Sequence, residues 1–124
     1  MIDMRIGRLF KSLGEALGGL KAVYRSEQNF RLQVYCGVAV LVAAAYFRLR
    51  GYELIVVVLL IGLVLVMELL NTALEYCTDL LKPRLNHYVK VIKETMAAAV
   101  LLTALLAAAI GLIIFVPHFL ALLK

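Results

Sequence analysis

The feature that most constrains the fold is an apolar stretch, residues 54–66, that contains no charged or hydrogen-bonding side chain. Such a stretch is typical of a membrane-spanning helix, which needs roughly 20 predominantly apolar residues. The composition agrees, because 65% of the 124 residues are hydrophobic, whereas a soluble domain averages about 45–50% apolar residues. The sequence therefore predicts one integral membrane domain over residues 1–124.

Three transmembrane helices are predicted, at about residues 32–47, 52–81 and 96–122. The last two are long enough to tilt or to project beyond the bilayer. Before them, apolar residues recur at three- and four-residue steps between basic residues, which predicts an amphipathic surface helix over about residues 5–28. The predicted fold class is thus an all-α integral membrane protein with one surface helix and three transmembrane helices.

Positive charge is distributed unevenly around the predicted spans. Ten of the 13 lysines and arginines lie in residues 1–31 or between the second and third spans, and three lie on the opposite side. Because cytoplasmic segments are enriched in Lys and Arg, this bias predicts a multi-pass protein with a cytoplasmic N-terminus. Topology and anionic lipid explain the net charge of +5 better than nucleic acid does, since no aromatic-interleaved basic platform is present.

A polar stripe follows the apolar stretch on the second predicted span. From Glu68, steps of 3, 7 and 11 residues reach Asn71, Glu75 and Asp79, and at about 100° per residue all four lie within roughly 80° of one helix face. Ionisable residues at membrane depth are energetically costly and usually functional. Asn71 alone could serve helix association, but repeated carboxylates favour a functional site.

Two further segments bring charged side chains to the same membrane level. Lys93 and Glu94 open the third span near the end of the stripe, and Glu27 precedes the first span. Carboxylate oxygens can bind Mg²⁺, and a lysine can bind phosphate as a point charge. Neither the two cysteines nor the two histidines have the spacing of a zinc site.

At these positions the sequence resembles the prokaryotic diacylglycerol kinase family, which includes the undecaprenol kinases. The resemblance covers nearly the whole chain and lies in Glu68-x-x-Asn71-Thr72-Ala73-x-Glu75-x-x-x-Asp79, Lys93-Glu94, Ala97-Ala98-Ala99-Val100 and Glu27-x-x-x-Arg31. It implies a homotrimer in the bacterial inner membrane, with active sites shared between subunits. It also implies transfer of the γ-phosphate of ATP to a lipid hydroxyl, with diacylglycerol as the favoured acceptor and undecaprenol as the alternative.

The same resemblance implies a role for each residue of the site. Glu68 is expected to be the general base, with Asn71 and Asp79 as further catalytic residues that position groups on the same face. Glu27 and Glu75 are expected to hold Mg²⁺. The residues expected to bind ATP are Arg8, Glu27, Glu75, Lys93 and Glu94, of which Glu94 stands where the family usually has aspartate.

Two interpretations from other classes of protein remain open. A small carboxylate-dependent transporter would also embed a glutamate in a short chain, but small multidrug exporters usually have four spans and a weak charge bias. A non-catalytic membrane scaffold would use the polar stripe only for helix packing. Transfer of labelled phosphate from ATP to extracted lipid distinguishes the kinase from both.

Overall fold

The computed structural model describes residues 2–124, with side chains described from Arg5 onwards. This part of the chain folds into four α-helices: α1 spans Ile2–Ser26, α2 spans Gln28–Tyr46, α3 spans Tyr52–Leu81 and α4 spans Asn86–Leu123. Helices α2, α3 and α4 are long and apolar enough to cross a membrane. The predicted all-helical class is therefore confirmed, with three helices that could each span a membrane.

Helix α4 begins well before the apolar segment that predicted it, at Asn86 rather than at about residue 96. Lys90, Lys93 and Glu94 consequently lie on the first turns of this helix. Hydropathy locates the apolar part of a helix, whereas the backbone hydrogen bonds that define the helix continue through polar turns. At its other end α4 continues through Pro117 to Leu123.

Side-chain hydrogen bonds from Arg31 and between two tyrosines stabilise the corner between α1 and α2. Glu27 separates the two helices in an extended conformation, with φ −112° and ψ 111°. Arg31 Nη1 donates to the carbonyl oxygens of Tyr24 at 2.9 Å and Arg25 at 2.7 Å. The last carbonyls of a helix lack intrahelical partners, so the guanidinium satisfies two of them and stabilises the negative end of α1. A hydrogen bond of 2.8 Å between the hydroxyls of Tyr24 and Tyr35 also ties α1 to α2.

A small apolar core lies near the α2–α3 loop, at the end of α3 away from the polar stripe. Ala44, Leu49 and Val57 form this core. Deeper in the helix pair, α2 approaches α3 closely at Gly37, where a Cβ atom would lie 2.9 Å from Ile61 Cγ2. Many large apolar side chains elsewhere on the helices are exposed, as expected for helix faces that contact lipid hydrocarbon.

One polar contact links α3 to α4 at this same end. His118 Nε2 lies 3.0 Å from Glu53 Oε2, with about a third of each side chain exposed. The contact joins the first turn of α3 to the last turns of α4, so it closes the end of the bundle opposite the stripe. Gly51, which precedes α3, has φ +61°, a conformation that glycine adopts without steric cost.

Candidate active site

The polar stripe of α3 forms one wall of a pocket of about 390 Å³, which we call the stripe pocket. Its polar lining residues are Asn29, Glu68, Asn71, Glu75 and Lys93. Its apolar lining residues, all on α4, are Ala97, Val100, Leu101 and Ala104. Carboxylates, amides and one ammonium group therefore face the same space as an apolar helix surface.

Glu68 is the most deeply placed carboxylate of the stripe, with only 7% of the residue exposed. Below it, the buried Thr72 donates from Oγ1 to the Glu68 backbone carbonyl at 3.0 Å. The Thr72 hydroxyl therefore binds the helix backbone and not the Glu68 carboxylate, and Glu68 lines the pocket. A carboxylate shielded from bulk water in this way is well placed to accept a proton from a bound hydroxyl.

Asn71 and Glu75 form a pair one helical turn apart. Asn71 Nδ2 donates to Glu75 Oε1 at 3.4 Å, a long hydrogen bond. Thr78 Oγ1 donates to the Glu75 backbone carbonyl at 3.0 Å. The second carboxylate oxygen of Glu75 and the amide oxygen of Asn71 are thus not engaged by this pair. Both are hard oxygen donors of the kind that Mg²⁺ prefers.

The predicted site residues divide into two groups. The structure brings Glu68, Asn71, Glu75 and Lys93 together in the stripe pocket. The others do not line it: Asp79 is exposed further along α3, Glu27 is half-buried at the α1–α2 corner, Glu94 lines a neighbouring pocket, and Arg8 is exposed on α1. The carboxylate of Glu27 does not cap its own helix, and is therefore not committed to a structural role there.

Asn29 is a pocket residue that the sequence reasoning did not single out. It lies two positions after Glu27, on the first turn of α2. An isolated asparagine at the start of a helix is usually read as a capping or surface residue, so composition gave no reason to prefer it. Its proximity to Glu27 was the available signal.

The stripe pocket contains oxygen donors of the type that bind magnesium. In the part of the chain whose side chains are described, no three His, Cys, Asp or Glu residues cluster closely enough to hold a metal ion. Mg²⁺ commonly binds through one or two carboxylates together with substrate phosphates, rather than in an all-protein cage. The oxygen donors of the stripe pocket therefore fit a magnesium ion that arrives with a polyphosphate.

A cavity of about 520 Å³, larger than the stripe pocket, lies among α2, α3 and α4. Apart from Gln33 and Cys36, its lining is apolar. It offers neither a carboxylate nor a cation, and so lacks the groups that move protons or bind phosphate.

Comparison with known proteins gives the class to which this site belongs. Residues 14–115 match the sequence profile of the family described as prokaryotic diacylglycerol kinase. The undecaprenol kinase of Bacillus subtilis is 36% identical over 112 residues, which cover 90% of this chain and 91% of that protein. The diacylglycerol kinase of Synechocystis is 36% identical over 116 residues, covering 93% of this chain and 66% of that protein. The diacylglycerol kinase of Escherichia coli is 32% identical over 115 residues, covering 90% and 92%.

The chain therefore belongs to the prokaryotic diacylglycerol kinase family. It is a membrane protein and a lipid kinase, with ATP as co-substrate and a lipid as acceptor. The enzyme class implied by the family resemblance is thereby confirmed.

Proposed function

We propose that this kinase transfers the γ-phosphate of ATP to the hydroxyl of diacylglycerol, producing phosphatidic acid and ADP. The main support for this proposal is the stripe pocket, which Glu68, Glu75 and Lys93 line together with an apolar surface of α4. A lipid hydroxyl can enter along the apolar side, while the ionic side holds the phosphate groups.

Glu68 is the general base of this proposal. It removes the proton of the lipid hydroxyl as that oxygen forms a bond to the γ-phosphorus, and the bond from the γ-phosphorus to the β-γ bridging oxygen breaks to release ADP. Its burial supports this role, because the lipid hydroxyl approaches from the membrane and not from water. Base catalysis of this type contributes about 10²–10⁴-fold to the rate.

Phosphoryl transfer otherwise depends on positioning and charge neutralisation. Lys93 donates to phosphate oxygens, and Asn71 and Asp79 orient groups along the face of α3. Glu27 and Glu75 would hold Mg²⁺, which would neutralise charge on the phosphates. Glu94 and Arg8 complete the expected set of ATP-binding residues, from the start of α4 and from α1 respectively.

We also propose a homotrimer whose active sites are shared between neighbouring subunits. The arrangement within one chain supports this, because Glu27 and Arg8 do not line the stripe pocket with their expected partners. Residues contributed by a neighbouring subunit can complete such a site. Size measurement of the detergent-solubilised protein by light scattering tests the trimer directly.

The proposed topology places the N-terminus and the α3–α4 loop in the bacterial cytoplasm, at the inner membrane. Residue positions on α1 support a surface helix, because its large apolar side chains are exposed and therefore free to contact lipid: Ile6, Leu9, Phe10, Leu13, Leu17 and Leu20. Both the stripe and the loop lysines then face the compartment that holds ATP.

Undecaprenol is the second candidate acceptor, favoured by the 36% identity to the Bacillus subtilis undecaprenol kinase. A competition assay separates the two. The purified protein receives labelled ATP and equal amounts of both lipids in micelles, with Glu68→Gln as the inactive control. We expect label mainly in phosphatidic acid. Label mainly in undecaprenyl phosphate would overturn the choice of acceptor, and label in neither lipid would overturn the kinase proposal.

A further inference from the structure

A second pocket, which we call the loop pocket, lies where the α3–α4 loop meets the start of α4. Its volume is about 550 Å³, and its lining residues are Lys82, Asn86, His87, Val89, Lys90, Lys93 and Glu94. Three lysines against one glutamate give it an excess of positive charge. Lys82 and Lys90 have no role in the function proposed above.

The loop pocket and the stripe pocket share one lining residue, Lys93. On one side of Lys93 lie the carboxylates Glu68 and Glu75, and on the other side lie Lys82 and Lys90. A chain of phosphate groups whose last member sits beside Lys93 and Glu68 can therefore extend into a cationic space. The lysines of the two pockets would give successive phosphate groups of such a chain more than one cation to contact.

Lys82, the first residue after α3, and Lys93, on α4, line the same pocket although they belong to different segments of the chain. Lys93 lowers the pKa of Lys82, first by hydrogen bonding and then by charge repulsion, whereas the charge of Asp79 acts in the opposite direction. Two neighbouring ammonium groups repel each other, and an anion bound between them offsets that repulsion because it attracts both. The pair is thus arranged for a ligand with strong negative charge and several acceptor oxygens.

We propose that Lys82 and Lys93 together bind one phosphate group in the loop pocket, which makes Lys82 a phosphate-binding residue of this kinase. The inference rests on the proposed function, because the phosphate in question is one that follows the transferred γ-phosphate in ATP. The phosphate of an anionic lipid headgroup has the same chemistry and could reach Lys82 from the membrane surface. The experiment therefore needs separate arms for nucleotide and for lipid.

The nucleotide arm uses the full-length protein in nanodiscs of neutral phosphatidylcholine. The variants are Lys82→Gln, the charge-conserving Lys82→Arg, and Arg84→Gln as a control that removes a positive charge from the same loop outside the pocket. One charge-assisted hydrogen bond corresponds to about tenfold in affinity. We expect Lys82→Gln to raise the KM for ATP by about tenfold with kcat changed less than threefold, Lys82→Arg to restore most of the affinity, and Arg84→Gln to match the parent.

The lipid arm repeats these assays with increasing phosphatidylglycerol in the nanodiscs. Lys82→Gln could keep the parental KM for ATP and yet, alone among the variants, lose the change in activity that phosphatidylglycerol causes. That result would support a lipid headgroup as the source of the phosphate. If neither the KM nor the lipid response changes, or if Lys82→Arg is as defective as Lys82→Gln in a correctly assembled protein, the proposal is overturned.

A measurement of tripolyphosphate binding tests the phosphate site independently of lipid phosphorylation. Calorimetric titration of the parent and of Lys82→Gln requires no turnover. Weaker binding to the variant supports the phosphate site even if the parent phosphorylates no lipid, whereas equal binding to both proteins contradicts it.

Discussion

Asn71 and Glu75 contact each other one turn apart on α3, where the Asn71 Nδ2 atom donates to Glu75 Oε1 at 3.4 Å. This contact holds one oxygen of the carboxylate against its own helix. The other oxygen remains for a ligand in the stripe pocket. Two residues that the sequence placed on one face are thus a physical pair, and their geometry supports a metal–nucleotide role for Glu75.

Replacing Glu75 tests that role. In Glu75→Gln the amide retains the size of the side chain but loses the negative charge that attracts Mg²⁺, so metal–nucleotide binding should weaken by about tenfold or more. Steady-state kinetics at varied Mg²⁺ and fixed ATP measure the change. Glu53→Gln, at the far end of α3, is the matched control. A variant with the parental metal dependence would refute the ligand assignment.

The proposed topology predicts which cysteines an impermeant reagent can reach. Cysteine introduced at Arg50 should be labelled from outside intact cells, because the α2–α3 loop lies on the side with few cations. Cysteine at Arg84 should be labelled only after lysis. The experiment starts from a chain in which Cys36 and Cys77 are replaced by alanine. The opposite labelling pattern would put the candidate site on the side without ATP.

Arg31 should control how firmly α1 is held against α2. Arg31→Gln removes a guanidinium that donates to two carbonyls at the end of α1, so the last turn of α1 should open more often. Hydrogen exchange there should accelerate about five- to tenfold. Arg25→Gln is the control, because its carbonyl and not its side chain receives the hydrogen bond. Equal exchange in Arg31→Gln and the parent would show that other contacts hold the corner.

The pKa of Lys82 gives a prediction about pH and stability. Lys93 lowers this pKa in the folded protein below the usual value of about 10.4. The unfolded state therefore binds this proton more tightly than the folded state, so the charge on Lys82 destabilises the fold at neutral pH. This effect diminishes as the pH rises from the folded-state pKa towards the unfolded-state value.

Lys82→Gln should accordingly be at least as stable as the parent at pH 7 in the absence of nucleotide, and any advantage should shrink by pH 10. Thermal denaturation in detergent at both pH values provides the measurement, with Arg84→Gln as the control. A marked loss of stability in Lys82→Gln at pH 7 would mean that Lys82 supports the fold instead of carrying a phosphate.

The fold was largely predictable because its strongest signals are local. The apolar stretch at residues 54–66 and the length of the second span identify α3, whose observed bounds are Tyr52–Leu81. The start of α4 was harder to predict from the sequence, since polar turns such as Asn86 to Lys90 carry no hydropathy signal. Contacts across helices, such as that between His118 and Glu53, cannot be read from periodicity at all.

The candidate site was predictable to the extent that it lies on one helix. Spacing alone placed Glu68, Asn71 and Glu75 on one face, and the structure assembles them around a common pocket. Asn29 and Lys82 were not foreseen, because their importance depends on which residues of other helices pack beside them. Tertiary proximity, and not residue type, is what distinguishes them from ordinary surface residues.

The most direct test of Glu68 as the general base is the turnover of Glu68→Gln in correctly assembled protein with saturating ATP and lipid. Glutamine keeps the shape and polarity of the side chain but cannot accept the proton of the lipid hydroxyl. We therefore expect kcat to fall by about 10²-fold or more, while ATP binding and assembly are retained. Turnover within a few-fold of the parent would contradict the assignment of Glu68 as the base and would favour a role in helix packing.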